Sequence, residues 1–434
     1  MIARLLRSYN QCPLSSRVIS AFLYGAMFGL FIWGIEYEFN LPLSLSESTA
    51  FWLEPLGIIL IGLLKLLIVP YVFFTMVRAA SRLSSDCFVK ITWRMIFWFI
   101  VTSLIAALVG TIAALIIGPG KGSMSLDVNA LPLKYATELR GLGRLIPDNP
   151  TLSSLLVKIF SSPLASAYAG SYLALAIFGL FFGLAMNSSG SGRISAFVDD
   201  VCNVLRRVND WISNYAPFGI FALSVAAFAR YGKLIFSEYV FVIAALAASV
   251  LIMIYVIYPL ILFFFGGINP MKVIPRLHQT AFAAFVIGKP GLVLPMAVDV
   301  AEKRLGVRRC VAEYSLPFGL MLNLDGVCLS VPFVAVMAAN VAGTEIDWLG
   351  IYIISIGAGF ASFFCLTKKC LLIIFTLILS VMNLPVSAVA AVIALVCGLG
   401  PVIRMLTSAL TMTGNMVCTC IVANKTGNME IPDK

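Results

Sequence analysis

Leu316-Pro317-Phe318-Gly319-Leu320-Met321-Leu322-Asn323-Leu324-Asp325-Gly326 stands near the middle of an apolar run, 310–342, long enough to cross a bilayer. An aspartate at such depth costs about 2.5–3.5 kcal/mol on insertion scales, so it needs a compensating partner. Gly326 is expected to let the helix unwind there and free carbonyls that can face a cation. An Asp–Asn pair could simply glue helices together. The combination Asn-x-Asp-Gly at midspan favours an ion site instead.

Composition sets the class around this stretch. The 434 residues are 61% hydrophobic and 12% charged, whereas soluble domains run near 45–50% apolar and about 25% charged. The chain is therefore read as an all-α, multi-spanning membrane protein. The net charge of +10 comes from basic residues beside apolar segments, which makes them topology signals rather than a nucleic-acid footprint. The ten cysteines are scattered through apolar segments, which argues against a disulfide framework. Cys418-x-Cys420 reads as small helix-packing residues. Arg4 and Arg7 resemble a signal-peptide n-region, but 19–34 runs on without a small-residue cleavage site and reads as a retained first span.

Spans are expected at about 19–37, 52–76, 94–118, 163–187, 196–228 and 238–266. Arg4, Arg7 and Arg17 before the first, Arg78, Arg82, Lys90 and Arg94 after the second, and Arg193, Arg206 and Arg207 after the fourth put those ends in the cytoplasm. The connection 119–160 then lies outside. Both termini are expected to be cytoplasmic, in a multi-pass protein of the cell membrane.

Simple alternation fails after 266. Lys272 and Arg276 precede the next apolar segment, and Lys303, Arg304, Arg308 and Arg309 follow it, so both ends read as cytoplasmic. The segment 279–300 is expected to enter and return on one side as two half-length helices of about ten residues each. Gly288-Lys289-Pro290-Gly291 forms its break. A second hairpin, entering from outside, is expected over 349–385 with its interruption at Thr367-Lys368-Lys369. The last span, 388–423, carries a break at Gly398-Leu399-Gly400-Pro401 before Arg404. The expected fold is eight transmembrane helices plus two re-entrant hairpins, arranged as inverted repeats with discontinuous helices. That arrangement belongs to secondary transporters. Paired membrane aspartates, a His-Glu metal motif and a Ser–His or Ser–Lys dyad are not found, which argues against an intramembrane enzyme. His278, the only histidine, reads as a surface residue.

Four patches in order resemble the dicarboxylate/amino acid:cation symporter family, the glutamate-transporter homologues. They are Leu67-Leu-Ile-Val-Pro-Tyr-Val-Phe-Phe-Thr-Met-Val, Tyr215-Ala-Pro-Phe-Gly-Ile-Phe-Ala-Leu, the 316–326 stretch, and Thr413-Gly-Asn-Met-Val-Cys-Thr-Cys-Ile-Val-Ala. The resemblance implies a homotrimer. Residues 1–265 would be mainly scaffold and trimerisation helices, with the third helix contributing to the transport domain, and 266–434 would be the transport core. It also implies a sodium site from Thr102, Ser103, Asn323 and Asp325, with Gly319 among the candidate cation ligands, a second sodium site weakened by Asn415 in place of an aspartate, and no other cofactor. These are hard oxygen ligands of the kind a hydrated cation exchanges for water.

On the solute side the chain departs from the family. The serine-rich first hairpin tip becomes Lys289, Pro290 and Gly291, and Val327 replaces a threonine. Where the family's eighth helix carries an amine-binding Asp and then an Arg, this chain has Arg404 and Thr407, followed by Ser408 and Thr411. Asn415 stands in place of an aspartate. A cationic amine beside Arg404 is repelled. The expected solute is thus a small organic anion, dicarboxylate-like or amino-acid-like, taken up with sodium or protons; the alternative is an anion-conducting channel on the same fold. For Arg404 a constitutive ion pair with Asp325 stands equally open, and for Lys289 a tip lysine reaching water.

Overall fold

The computed structural model describes residues 14–39, 45–82, 85–119, 162–163, 173–190, 192–235, 240–341, 343–344, 346–364 and 386–430. The charged ends at Arg4 and Arg7, most of the 119–160 connection and the Thr367-Lys368-Lys369 interruption lie outside them.

The first half supplies long helices: α1 (Leu14–Phe39), α2 (Leu45–Arg82), α3 (Ser85–Ile117), α4 (Leu173–Ser189) and α5 (Gly192–Ile235). Next comes α6 (Val240–Ile252), which continues through a π turn Met253–Ile257, a helical Tyr258–Ile261 and a second π turn Leu262–Gly266. Pro259 lies within this stretch. Its missing N–H leaves the carbonyl one turn back without its partner, and a shift to wider π register absorbs the mismatch. By length and composition seven stretches among the described residues can cross a membrane, and Ala174–Ser189 and Trp348–Gly359 are shorter apolar helices. Large apolar side chains such as Phe51, Trp52, Leu66 and Ile116 face outward, while Thr102, Ser103, Asn323 and Asp325 are fully buried. That inversion of the soluble pattern marks a multi-pass membrane protein.

The segment after 266 turns back on itself. Asn269 caps α7 (Pro270–Ile287) by accepting from the Met271 N–H at 2.9 Å, with Pro270 in the first turn. Gly288 ends it in the left-handed region at φ 63°, a conformation that glycine adopts without a Cβ penalty. Extended Lys289, a 3-10 turn Pro290–Val293 and α8 (Leu294–Lys303) complete the return. At the open end Arg276 Nη1 donates to the Arg304 carbonyl at 2.6 Å. The limbs are unequal, 18 residues against 10, because the Asn269 cap starts the first helix well before 279.

The decisive stretch is broken between α9 (Arg309–Leu322) and α10 (Asp325–Val341). The break falls at Asn323, whose φ of −114° and ψ of 85° leave the helix, and at Leu324. Gly326 is therefore not the residue that unwinds; it lies in the first turn of α10 and serves a close approach described below. After α11 (Trp348–Phe364), α12 (Val386–Lys425) runs unbroken. The expected break at 398–401 is absent, since a membrane helix can absorb a proline by local adjustment and neighbouring donors.

Packing falls into two sets. Helices α1, α2, α4 and α5 pack mainly on one another, while α3, α10, α11 and α12 pack together with α7 against α12. The hairpin turn Pro290–Val293 touches α2, α9 and α12, so it lies where the two sets meet.

Candidate cation and solute site

Five helices converge on the Asn323–Asp325 break. Thr102 and Ser103 on α3 point their hydroxyls at it: Thr102 Oγ1 donates to Asn323 Oδ1 at 3.2 Å, and Ser103 Oγ reaches the same oxygen at 3.0 Å. Ser103 Oγ also lies 3.2 Å from Asp325 Oδ1. The other carboxylate oxygen, Oδ2, accepts from Tyr258 OH at 2.7 Å and lies 3.4 Å from Asn323 Nδ2. All five residues are fully buried. The sequence brought out four of them; Tyr258 it did not.

From α12, Asn415 Nδ2 donates to the Asn323 carbonyl at 3.2 Å and to the Thr411 carbonyl at 2.9 Å. Both donations fix the amide's orientation and leave Oδ1 buried without a partner. That oxygen lies against Gly319, where an added Cβ would collide with it. Gly319's carbonyl in turn accepts the Asn323 N–H at 2.7 Å. An orphan acceptor inside a bilayer needs a partner of its own, and a hard cation is one chemistry that provides it. The oxygens of Thr102, Ser103, Asn323, Asp325 and Asn415 suit sodium in type. A sulfur at the break, Cys418 Sγ, lies 3.7 Å from Thr102 Oγ1 and 4.0 Å from Asn323 Nδ2. Among the described residues no three His, Cys, Asp or Glu side chains gather as metal ligands, and buried Cys418 and Cys420 are free thiols.

One face of α12 carries Arg404, Thr407, Ser408 and Thr411. Gly326 N donates to Thr411 Oγ1 at 3.1 Å, and a Cβ on Gly326 would run into the backbone of Thr407. Thr407, Ser408 and Thr411 are buried along this seam, and Val327 is half-buried one residue beyond it. Arg404, a turn further along the same face, is exposed and makes no ion pair among the described residues. Asp325 bonds hydroxyls and an amide instead, so the Arg404–Asp325 pair is not formed. Lys289 is exposed at the hairpin turn, with Pro290 and Gly291 half-buried beside it. His278 is half-buried and shares a 3.0 Å hydrogen bond with Tyr255 OH.

The chain matches the sodium:dicarboxylate symporter family over residues 14–425. It is 25% identical to the serine/threonine transporter SstT of Bifidobacterium adolescentis over 78% of this chain and 72% of that protein. To the SstT of Streptococcus thermophilus it is 24% identical over 81% of each chain. To that of Campylobacter jejuni it is 31% identical over 48% of this chain and 51% of the relative.

Proposed function

This chain belongs to the sodium:dicarboxylate symporter family, and from that premise we propose that it takes up a small organic anion together with sodium by alternating access. Secondary transport, not enzymatic catalysis, is the class of activity the family carries. Sodium as cargo supplies the positive charge that the buried Asp325 otherwise lacks. Thr102, Ser103, Asn323 and Asp325 hold it at one place, and Gly319 and Asn415 supply oxygens at another.

The observation that carries the solute assignment is Arg404. It is a guanidinium on the exposed end of the hydroxyl-lined face Thr407–Ser408–Thr411, without an acidic partner among the described residues. An arginine there attracts a carboxylate and repels an ammonium. The hydroxyls and Val327 shape the rest of the seat, and Lys289, Pro290 and Gly291 close it from the hairpin side. The two packing sets fit a scaffold of early helices and a transport core of 266–434 joined by α3. The closed base at Arg276–Arg304 fits a hairpin that enters and leaves on the cytoplasmic side. Eight spans, a second hairpin, cytoplasmic termini and a homotrimer complete the proposed architecture.

A second reading is favoured by the names of the relatives, serine/threonine transporters: the hydroxyl seam would then hold a hydroxy amino acid. Uptake into proteoliposomes under an imposed sodium gradient separates the two. Competition by dicarboxylates and not by serine or threonine supports the anion, and the reverse pattern replaces it. Arg404→Ala is expected to abolish anion uptake while the protein stays folded, and unchanged uptake removes Arg404 from the site. Flux that saturates and needs the gradient identifies a symporter; an ohmic, unsaturable current identifies a channel.

A further inference from the structure

Tyr258 has no place in the solute seat, yet it holds half of the Asp325 carboxylate. We propose that Tyr258 is a positioning residue of the cation site, its hydroxyl fixing the rotation of the Asp325 carboxylate and thereby setting affinity and selectivity for the ion. The proposal rests on the reading of Asp325 as a cation ligand.

The geometry is specific. Tyr258 OH donates to Oδ2 at 2.7 Å, while Oδ1 lies by the Ser103 hydroxyl at 3.2 Å and so faces α3. The terminal torsion of an aspartate is broad and nearly two-fold, so nothing intrinsic holds one oxygen toward the hydroxyls. Tyr258 supplies that restraint. Its own placement is set by the local backbone, because it follows the π turn Met253–Ile257 and precedes Pro259. A π turn rotates the residues beyond it relative to the preceding helix, and such turns recur at functional sites. Gly414 of α12 closes the far side, since a Cβ there would collide with both Asp325 Oδ2 and Tyr258 OH. The carboxylate is thus wedged between a hydroxyl anchor and a bare stretch of helix. No arginine or lysine is among its hydrogen-bonding partners. A carboxylate held in one orientation presents a fixed oxygen spacing, and fixed spacing discriminates between ions of different size.

The test uses thermal shift of the purified full chain titrated with NaCl or LiCl, choline chloride holding ionic strength constant. Tyr258→Phe removes only the hydroxyl. The half-saturating sodium concentration is expected to rise roughly five- to tenfold, as for loss of a hydrogen bond to a charged group that only partly differs between the two states. The sodium-to-lithium preference should fall with it, a change that a purely structural role would not produce. Tyr255→Phe, which removes the hydroxyl facing His278, serves as the neutral control. Wild-type sodium affinity and preference in Tyr258→Phe, beside a sodium-insensitive Asp325→Asn, overturn the proposal alone. Full sodium sensitivity in Asp325→Asn overturns the site and the proposal together. Should Tyr258→Phe not fold, sodium-induced difference infrared spectra of the wild type decide: a shifted tyrosine C–O band supports the proposal, and its absence overturns it.

Discussion

Arg78 of α2 and Glu313 of α9, 235 positions apart, form a two-pronged ion pair, with Arg78 Nε donating to Glu313 Oε2 at 2.9 Å and Nη2 bonded to Oε1. Both side chains are buried, 5% and 1% exposed, so the pair is neutralised inside the protein rather than by water. Arg309 Nε adds a third bond to Glu313 Oε1 at 2.6 Å and reaches Glu302 through Nη1 at 2.7 Å. The network ties the first packing set to the helix that leads into the Asn323 break.

Removing one partner of such a pair strands a buried charge and typically costs about 3–5 kcal/mol, whereas an apolar replacement of both partners is often neutral. Glu313→Leu and Arg78→Met are therefore each expected to lower the thermal midpoint strongly. The double variant Arg78→Met/Glu313→Leu should recover part of the loss, since Arg309 loses Glu313 but keeps Glu302. A double-mutant cycle on purified protein measures it, and losses that simply add would show that the two residues are not coupled.

Gly326 gives a second prediction, separating close approach from unwinding. Its Cβ would meet the carbonyl, carbonyl carbon and Cα of Thr407, all backbone atoms that cannot swing aside. Gly326→Ala must push α12 away from α10, with overpacking strain of roughly 1–3 kcal/mol. It should also lengthen the Gly326 N to Thr411 Oγ1 bond. The expected result is a lower thermal midpoint together with weaker sodium stabilisation. Gly34→Ala in α1, where a Cβ meets nothing within 4 Å, should leave both unchanged.

Which parts were legible in the sequence follows from where each signal lives. Asn323 and Asp325 stood out because charge and amide are rare at midspan, and the break does fall beside them. The returning segment 270–304 showed itself through basic residues at both ends and Gly288-Lys289-Pro290 between them. The Arg78–Glu313 pair left no local trace, since partners 235 residues apart share no window. Arg78 at the end of α2 reads as an orientation signal although its charge is spent inside the protein. Tyr258 was hidden by an apolar run typical of any span; Pro259 was the available clue, because a mid-span proline marks a register change. At Pro401 the same clue misled, as α12 passes through without breaking.

Asn415 offers the last prediction, because its two ends face opposite demands. Nδ2 donates to the carbonyls of Asn323 and Thr411, while Oδ1 is buried without a partner. Asn415→Asp forfeits both donations and places a second carboxylate near Asp325, where no lysine or arginine pairs with it among the described residues. In sodium-free choline buffer the Asn323 carbonyl, left without its donor, costs about 1–3 kcal/mol, and the added charge costs more, while the Thr411 carbonyl keeps its helical N–H partner. The variant is thus expected to melt well below the wild type there. Sodium should reverse the trend, since the new carboxylate adds a strong ligand beside Gly319. The midpoint should then climb more steeply with sodium than the wild type's, and the Hill coefficient should rise. Thermal unfolding across a sodium series reads both effects. A deficit that stays constant from zero to saturating sodium would make Asn415 a purely structural tie between α12 and the break.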